Sequence, residues 1–493
     1  MKRIEIAGSY ADLSEAPIGI NYQYLDVTDP SARFTPFSSS IVLPFTARNK
    51  KIMGFGDVTG GSMTAIRNIP EVNFWFGHNK VVKNGYLKVT SIGEKGYNCN
   101  ITGRNTDIEA LEAHTFTEIF DECADGFTDV LFADAIAQLE SGYSALYNKG
   151  WILPRTMPDS ISGASWTIYS LTNGYQHELW VNAAAIIQAM EDLGWMTLKV
   201  WEGDAKVDWD SSDLITDLRK LYTPAWNYHL AHPSTWQIVK VATGARIIDG
   251  KTIDKALMAN FGGKNPWDFI KYLSHLFCAS IYQDGTEFTL IPFNNLTDTG
   301  AVNLTNKLVG YSKYPNIPKY EANNFIGYKL TDNLPETYGR FTLTSPVTPL
   351  TDKNLFTFDL MLPGQYNTLN SLFNTGYTVN SDLTSSPLFL FDDETGTARA
   401  VKFEATPSNF DDVATLKNLT YYNFSVHYSG LQALATKGLY YDADLALNPY
   451  DFLRLSPFKL IRINELGGLF YLNKISNFDP YSGKTAKCQI IKW

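Results

Sequence analysis

The most constraining feature of the chain is a thirty-residue stretch near its middle, NPWDFIKYLSHLFCASIYQDGTEFTLIPFN (265–294). Asn265 is a good N-cap, and Pro266 suits the first helical position, where its missing N–H costs nothing. Phe269, Ile270, Leu273, Leu276 and Phe277 then fall on one helical face, with Asp268, Lys271 and Ser274 opposite. ASIYQ and TEFTLIP follow as strands, separated by the turn pair Asp284-Gly285. The segment is a helix packed on a hairpin.

Upstream, residues 1–35 mix Gly, Pro, Ser and Asp with short apolar pieces and suit an extended N-terminal arm. SSSIVLPF is a short strand, and ARNKKIMGF after it has room for one or two helical turns. EVNFWF alternates, with Val72, Phe74 and Phe76 on one face. VVKNGYLKVTSIG carries Asn84-Gly85, a strong hairpin signal because a type I′ turn needs positive φ at both central positions. YNCNITGR continues the alternation with Tyr97, Cys99 and Ile101 inward. These strands predict a half-buried antiparallel sheet or half-barrel.

Residues 105–264 lean helical. NTDIEALEAHTFTEIF has Asn105 or Thr106 as its cap. VNAAAIIQAMEDLGW puts Ile186, Met190 and Leu193 on one stripe and stops at Gly194. SSDLITDLRKLY puts Leu214, Leu218 and Leu221 on another. From about 295 onward the chain is rich in strands and loops, and the last forty residues read as three consecutive strands. No repeat of 20–50 residues is visible along the sequence.

Composition narrows the classes of function. The chain of 493 residues carries a formal charge of −10, with 19% charged and 14% aromatic residues. Many rings and few charges suit β-rich proteins that bury area against neighbours. The acidic balance argues against phosphate-tracking as the main role. Cys99, Cys123, Cys278 and Cys488 form no CxxC pair, so neither a disulfide framework nor a zinc module is expected, and Cys99 and Cys278 suit small buried hydrophobes. Neither a cleaved signal nor a membrane span is visible.

Chemistry-bearing motifs lose to plainer explanations. His229 and His232 could share a metal through one helical turn, but Pro233 disfavours that turn. His177-Glu178 lacks the second His of a zinc protease motif, and no Gly-x-Ser-x-Gly elbow occurs. DECADGFTD (121–129) has too few hard oxygens for a calcium loop. Asp208, Asp210 and Asp213 precede a helical pattern, which favours capping over a cation. GFGDVTGGS (54–62) lacks the Gly-Lys-Ser/Thr of a phosphate loop. No catalytic, metal or cofactor residue is therefore assigned, although a glycosidase acid pair that meets only in the fold stays open.

Three segments resemble the tail hub proteins of long-tailed bacteriophages, particularly those of the Bacteroidetes. The first is FTPFSSSIVLPFTARNKKIMGF and the meander after it, with Leu43, Pro44, Thr46, Asn49, Gly85, Tyr86, Leu87 and Val89 at the matching positions. The second is PWDFIKYLSHLFCASIYQDGTEFTLIPFNNL, and the third is LFYLNKISNFDPYSGKTAKCQIIKW. The resemblance implies an α+β, mainly β chain with two tube-like antiparallel β-barrel domains and a helical α+β middle region. The expected organisation is an N-terminal arm (1–35), the first part of a barrel (36–104), a helical middle (105–264), and a helix-hairpin with the start of a second β domain (265–334). A β-rich insertion or accessory region (335–450) and C-terminal strands completing a β domain (451–493) follow. The resemblance further implies a non-enzymatic structural virion protein, made in the host bacterial cytoplasm, that forms a homotrimer at the distal end of the tail tube. The tail tube or distal tail protein lies above it, tip or fibre proteins lie below, and phage DNA passes transiently through a lumen. Stable membrane insertion and cofactors are not expected. The competing expectation is a receptor- or carbohydrate-binding tail protein, with a glycan depolymerase as its enzymatic relative.

Overall fold

The computed structural model describes residues 2–14, 18–23, 26–27, 38–54, 68–77, 79–102, 106–116, 118–119, 151–152, 156–158, 176–218, 221–229, 239–241, 244–246, 265–329, 340–346, 351–361, 364–366, 376–379, 389–390, 392–393, 419–420, 424–479 and 481–493. The fold is mainly β. In its first part lie β1 (Lys2–Ile6), β2 (Ser9–Tyr10), β3 (Gly19–Gln23), β4 (Ser38–Pro44), α1 (Ala47–Ile52), β5 (Asn68–Phe76), β6 (Asn79–Gly93) and β7 (Gly96–Thr102). The middle contains α2 (Ala183–Asp192), β8 (Thr197–Glu202), β9 (Ala205–Asp208), α3 (Pro266–Leu276), β10 (Ala279–Asp284) and β11 (Glu287–Pro292). The last part contains β12 (Val302–Asn303), β13 (Leu308–Tyr314), α4 (Ser429–Lys437), β14 (Tyr440–Leu445), α5 (Pro449–Arg454), β15 (Ile461–Ile463), β16 (Gly468–Phe478) and β17 (Ala486–Lys492).

The middle follows from local chemistry. The Asn265 side chain accepts from Asp268 N at 2.9 Å, and the Asp268 side chain accepts from Asn265 N at 3.3 Å, a reciprocal capping box ahead of Pro266. Phe269, Ile270, Leu273 and Leu276 are fully buried, each contributing roughly 1.5–3 kcal/mol by leaving water. Ser274, expected on the polar face, is also buried. Its hydroxyl donates to the Lys271 carbonyl at 2.7 Å, which removes the cost of hiding it. The β10–β11 hairpin turns at Gly285 (φ +70°), and β11 pairs in parallel with β8, giving a four-stranded sheet in the order β9-β8-β11-β10. Residues from α2, α3 and this sheet share one core.

Two local expectations differ from the structure. The Leu214/Leu218/Leu221 stripe is not one helix: a single turn, Ile215–Leu218, buries Leu214 and Leu218, and Leu221 opens a strand, Leu221–His229. Nor is Asn84-Gly85 a hairpin turn. β6 runs straight through it, and the turns fall at Gly77 and at 94–95. Val72 pairs with Gly85 while Phe74 pairs with Val82, so the pair forms a bulge in a continuous strand. Glycine is needed there for close approach, since a Cβ on Gly85 would lie 2.2 Å from the Thr102 carbonyl oxygen.

The largest sheet has thirteen strands, along the path β13-β14-β17-β16-β3-β4-β7-β6-β5-β1-β2, with β15 on β16 and β12 on β15. This path contains one six-strand order twice, β3-β4-β7-β6-β5-β1 and β13-β14-β17-β16-β15-β12. In each unit a short helix, α1 or α5, follows the strand that pairs with the last strand of the unit. The units differ in that β1 pairs with β5 antiparallel whereas β12 pairs with β15 in parallel. Neither closes into the separate tube-like barrel that was expected. Instead β3 pairs with β16 and fuses the two into one open sheet over a shared core. An antiparallel edge gains more from pairing with a neighbouring edge than from staying solvated, and this junction provides that pairing. Residues 2–23, expected as an extended arm, supply β1, β2 and β3 to it. A second, seven-stranded sheet combines strands from 151–229 with Asn323–Lys329, Arg340–Thr344, Asp352–Met361 and Phe389–Leu390.

Candidate assembly surface

The repeat extends to individual residues. Ile41 lies opposite Cys99 in the first unit, and Ala443 lies opposite Cys488 in the second. Both thiols point into the core and donate to the carbonyl two residues back, Tyr97 O at 3.5 Å and Ala486 O at 3.7 Å. Five residues past each of these strand positions stands a helix N-cap, Thr46 and Asn448, accepting from Asn49 N at 3.1 Å and Asp451 N at 2.8 Å. Asn49 and Asp451 are both buried, and each ties down a residue that precedes the strand next to its own, β3 or β13. Asn49 exchanges two hydrogen bonds with the Asp12 backbone, at 2.8 and 2.9 Å, and Asp451 pairs with the Lys307 ammonium at 2.7 Å. These contacts pin β3 and β13 alongside β4 and β14.

Burial pushes the Cys99 thiol up to about 12 and raises Cys488 for the same reason, with Asp444 adding to the rise. The unfolded chain loses these protons first, near the ordinary value of 9.0. Their contribution to stability is therefore whole below that pH and falls as pH rises towards about 12. We expect the urea midpoint to fall between pH 8.5 and 10.5, values set on the order of the ordinary thiol range, and to fall less steeply in Cys99→Ala. Thiol reagents should label Cys99, Cys278 and Cys488 only on unfolding, as all three are buried. Rapid labelling of folded protein would contradict this placement.

Among the described residues the sheet is open at both ends. β13 has β14 on one side and, among the described residues, no strand on the other. Of the seven large hydrophobic residues that stand exposed among the described residues, three lie on it, Val309 at 64%, Tyr311 at 56% and Tyr314 at 41%. Such a concentration on one edge strand marks an interaction surface better than scattered exposure would. Tyr311 and Tyr314 lean on the rings of Tyr441 and Tyr440. Beside them a groove of about 300 Å³ is lined by Tyr311, Ser312, Asp442, Asp444, Lys487 and Gln489. The Asp444–Lys487 ion pair crosses it at 2.7 Å. A second open stretch is the end of β6. β5 pairs with β6 only as far as Lys88, so residues 89–93 have β7 on one side and no described strand on the other.

The eight positions that carried the first resemblance gather in one unit. Leu43 and Leu87 are buried, Pro44 pairs with Gly96, Thr46 and Asn49 build the α1 cap, and Gly85, Tyr86 and Val89 lie on β6. The polar motifs do not converge. Asp208 pairs with Lys199 and makes no capping bond, while Asp213 N donates to Glu202 at 3.0 Å. His229 ends a strand rather than a helical turn. His232, residues 121–129 and residues 55–62 lie outside the described residues. Among the described residues no group of three His, Cys, Asp or Glu could hold a metal ion, and no helix is long and apolar enough to cross a membrane. Sequence reasoning missed one signal, the recurrence of Asn-Pro-Trp-Asp-Phe (265–269) as Asn-Pro-Tyr-Asp-Phe (448–452). Both build capping boxes, and the second marks α5.

The large sheet is thus a duplicated β unit fused edge to edge within one chain. No family model and no curated protein matches the chain. It is similar in outline to solved tail proteins. One is the 43 kDa tail protein of prophage MuSo2 from Shewanella oneidensis, at 9% identity and TM-score 0.38, covering 100% of this chain and 98% of that one. Another is a tail protein from Neisseria meningitidis MC58, at 8% and 0.38, covering 100% and 96%. A third is prophage tail protein gp18 from Listeria monocytogenes EGD-e, at 8% and 0.35, covering 100% and 94%. At identities and TM-scores this low they are likenesses only.

Proposed function

We propose that this chain is a structural, non-enzymatic protein of a phage tail, a homotrimeric hub joining the tube above to the tip or fibre proteins below. The observation that carries the reading is the duplicated six-strand unit, already fused edge to edge within one chain and, among the described residues, unpaired at both ends of the sheet. Three such chains present six related units, which matches a sixfold tube on one side and threefold parts on the other. The sequence resemblance of residues 35–104, 265–296 and 469–493 to tail hubs points the same way. Large assembly interfaces favour aromatic residues over charges, in line with the exposed tyrosines of β13. Passage of DNA through the resulting ring is part of the same proposal, with the virion as the place of work.

Light scattering across a concentration series tests the oligomer. A species of three times the 55.3 kDa chain, appearing as rings of threefold symmetry in images, is the expected result. A strict monomer at every concentration would overturn the hub reading.

A further inference from the structure

The junction inside the chain supplies a template for the junction between chains. β3 does not stay within its own unit: it pairs on one side with β4 and on the other with the far half of β16, Ile20 opposite Phe478 and Tyr22 opposite Ile475. That half of β16 is available because β15 pairs only with residues 468–470. Each participant has a counterpart in the other unit. β13 occupies the place of β3, since Gly19 lies opposite Ser40 and Ser312 lies opposite Asp442, two positions that both neighbour the cysteine pair. The end of β6 occupies the place of the end of β16, since Val89 lies opposite Cys99 and Ile475 lies opposite Cys488. Among the described residues both counterparts have one side open, and they belong to opposite units.

We infer that β13 of one copy pairs antiparallel with residues 89–93 of a second copy of this chain, repeating the β3–β16 junction and continuing the sheet from subunit to subunit. The partner is thus fixed as the same chain, and the contact is heterologous, edge against a different edge, so it builds a ring when its rotation closes after three copies and does not make a twofold dimer. The register follows from the template. Lys313 takes the place of Ile20, and Gly93 takes the place of Phe478, two residues beyond the serines Ser91 and Ser476 that face Asn98 and Lys487. Lys313 then lies opposite Gly93. All of Tyr311 to Tyr314 is exposed, as are Thr90, Ser91 and Gly93, so neither strand has to shed a packed cover first. The short β2 at the end of the path is a weaker acceptor, because the strands in its half of the second unit, β12 and β15, take no part in the internal junction.

The inference rests on the hub reading, and one experiment separates the two. The full-length chain carries Lys313→Cys together with Gly93→Cys, and a parallel variant carries Lys313→Cys with Tyr10→Cys. A Cβ at Gly93 meets the Asn98 side-chain amide at 3.3 Å and the Gly96 carbonyl oxygen at 3.9 Å, an ordinary contact, and the backbone there is not left-handed, so the substitution is mild. Directly opposed antiparallel residues sit about 4.5–5.5 Å apart, within reach of a disulfide or a short bis-maleimide. Cys123 is replaced by serine in every variant, and the other three native thiols, all buried, supply the unreactive background. The expected result is a trimer by mass whose 313/93 variant crosslinks into covalent dimers and trimers on denaturing gels, with either single variant remaining as free chains. A trimer by mass that crosslinks through 313/10, or not at all, overturns the strand pairing and leaves the hub reading standing. A chain that stays monomeric and uncrosslinked at the highest concentration overturns both.

Discussion

Gly85→Ala should cost about 3 kcal/mol of stability, the upper end of what an added methyl costs in a packed site. The new Cβ would stand 2.2 Å from the Thr102 carbonyl oxygen and 2.5 Å from Val82 Cγ1, far inside contact distance. Thr102 lies opposite Tyr86 in the β6–β7 ladder, so its carbonyl cannot retreat without breaking strand pairing on the β4 side as well. Val82 is itself buried in the core of the large sheet. The strain thus falls on backbone held from both sides, where small adjustments of side chains bring little relief. Urea unfolding followed by fluorescence checks this. A midpoint equal to that of the parent would mean that Asn84-Gly85 forms an ordinary turn rather than a bulge.

Asp479→Ala should be the other severe change, at about 3–5 kcal/mol, as for other buried pairs that lose one partner. One carboxylate oxygen accepts from the Lys2 ammonium and from Ile18 N at 2.9 Å, and the other accepts from Tyr481 N at 2.9 Å. The Asp479 side chain is 2% exposed, and that of Lys2 is 18% exposed. This cluster clasps the first strand of the chain to the loop between its last two. Removing the carboxylate leaves an ammonium and two amide donors with no acceptor in a nearly dry site. Asp479→Asn keeps an oxygen for the amides and gives up only the charge, so it should be distinctly milder. Equal losses in the two variants would show that the Lys2 pairing contributes nothing. Limited proteolysis should report the same clasp, with cleavage near the N-terminus of the alanine variant preceding loss of the core.

Parts of this architecture were legible in the residue order. The Asn265 cap, the Pro266 start, the buried face of α3 and the turn at Gly285 all depend on groups within a few residues of each other. The alternation of Tyr97, Cys99 and Ile101 likewise announced one buried face of β7. Other features were written in the sequence but ambiguous. Asn-Gly serves a type I′ turn or a bulge with equal ease, and the choice at residues 84–85 is made by where β5 and β7 lie. The stripe at Leu214, Leu218 and Leu221 continues at helical spacing, yet the backbone beyond residue 218 gains more by joining a sheet.

Two related β domains were implied by the resemblance alone, and no repeat was legible along the chain, because the two copies share little beyond inward positions and caps. Cys99 with Cys488, Thr46 with Asn448, and Asn49 with Asp451 correspond only once strand partners are known. Between β13 and β14 the second unit is interrupted by residues 315–439, which hides the spacing. The sequence by itself determined the local elements, their apolar faces and the helix–hairpin at the centre, since capping, turn geometry and periodicity act over a handful of residues. The tertiary structure alone decided that β3 leaves its own unit for β16, that Lys2 meets Asp479, and that β13 and the end of β6 are left open. Those outcomes depend on which distant edges can satisfy each other's backbone groups and cover each other's apolar faces, a condition set by the whole arrangement of strands and carried by no short stretch of residues.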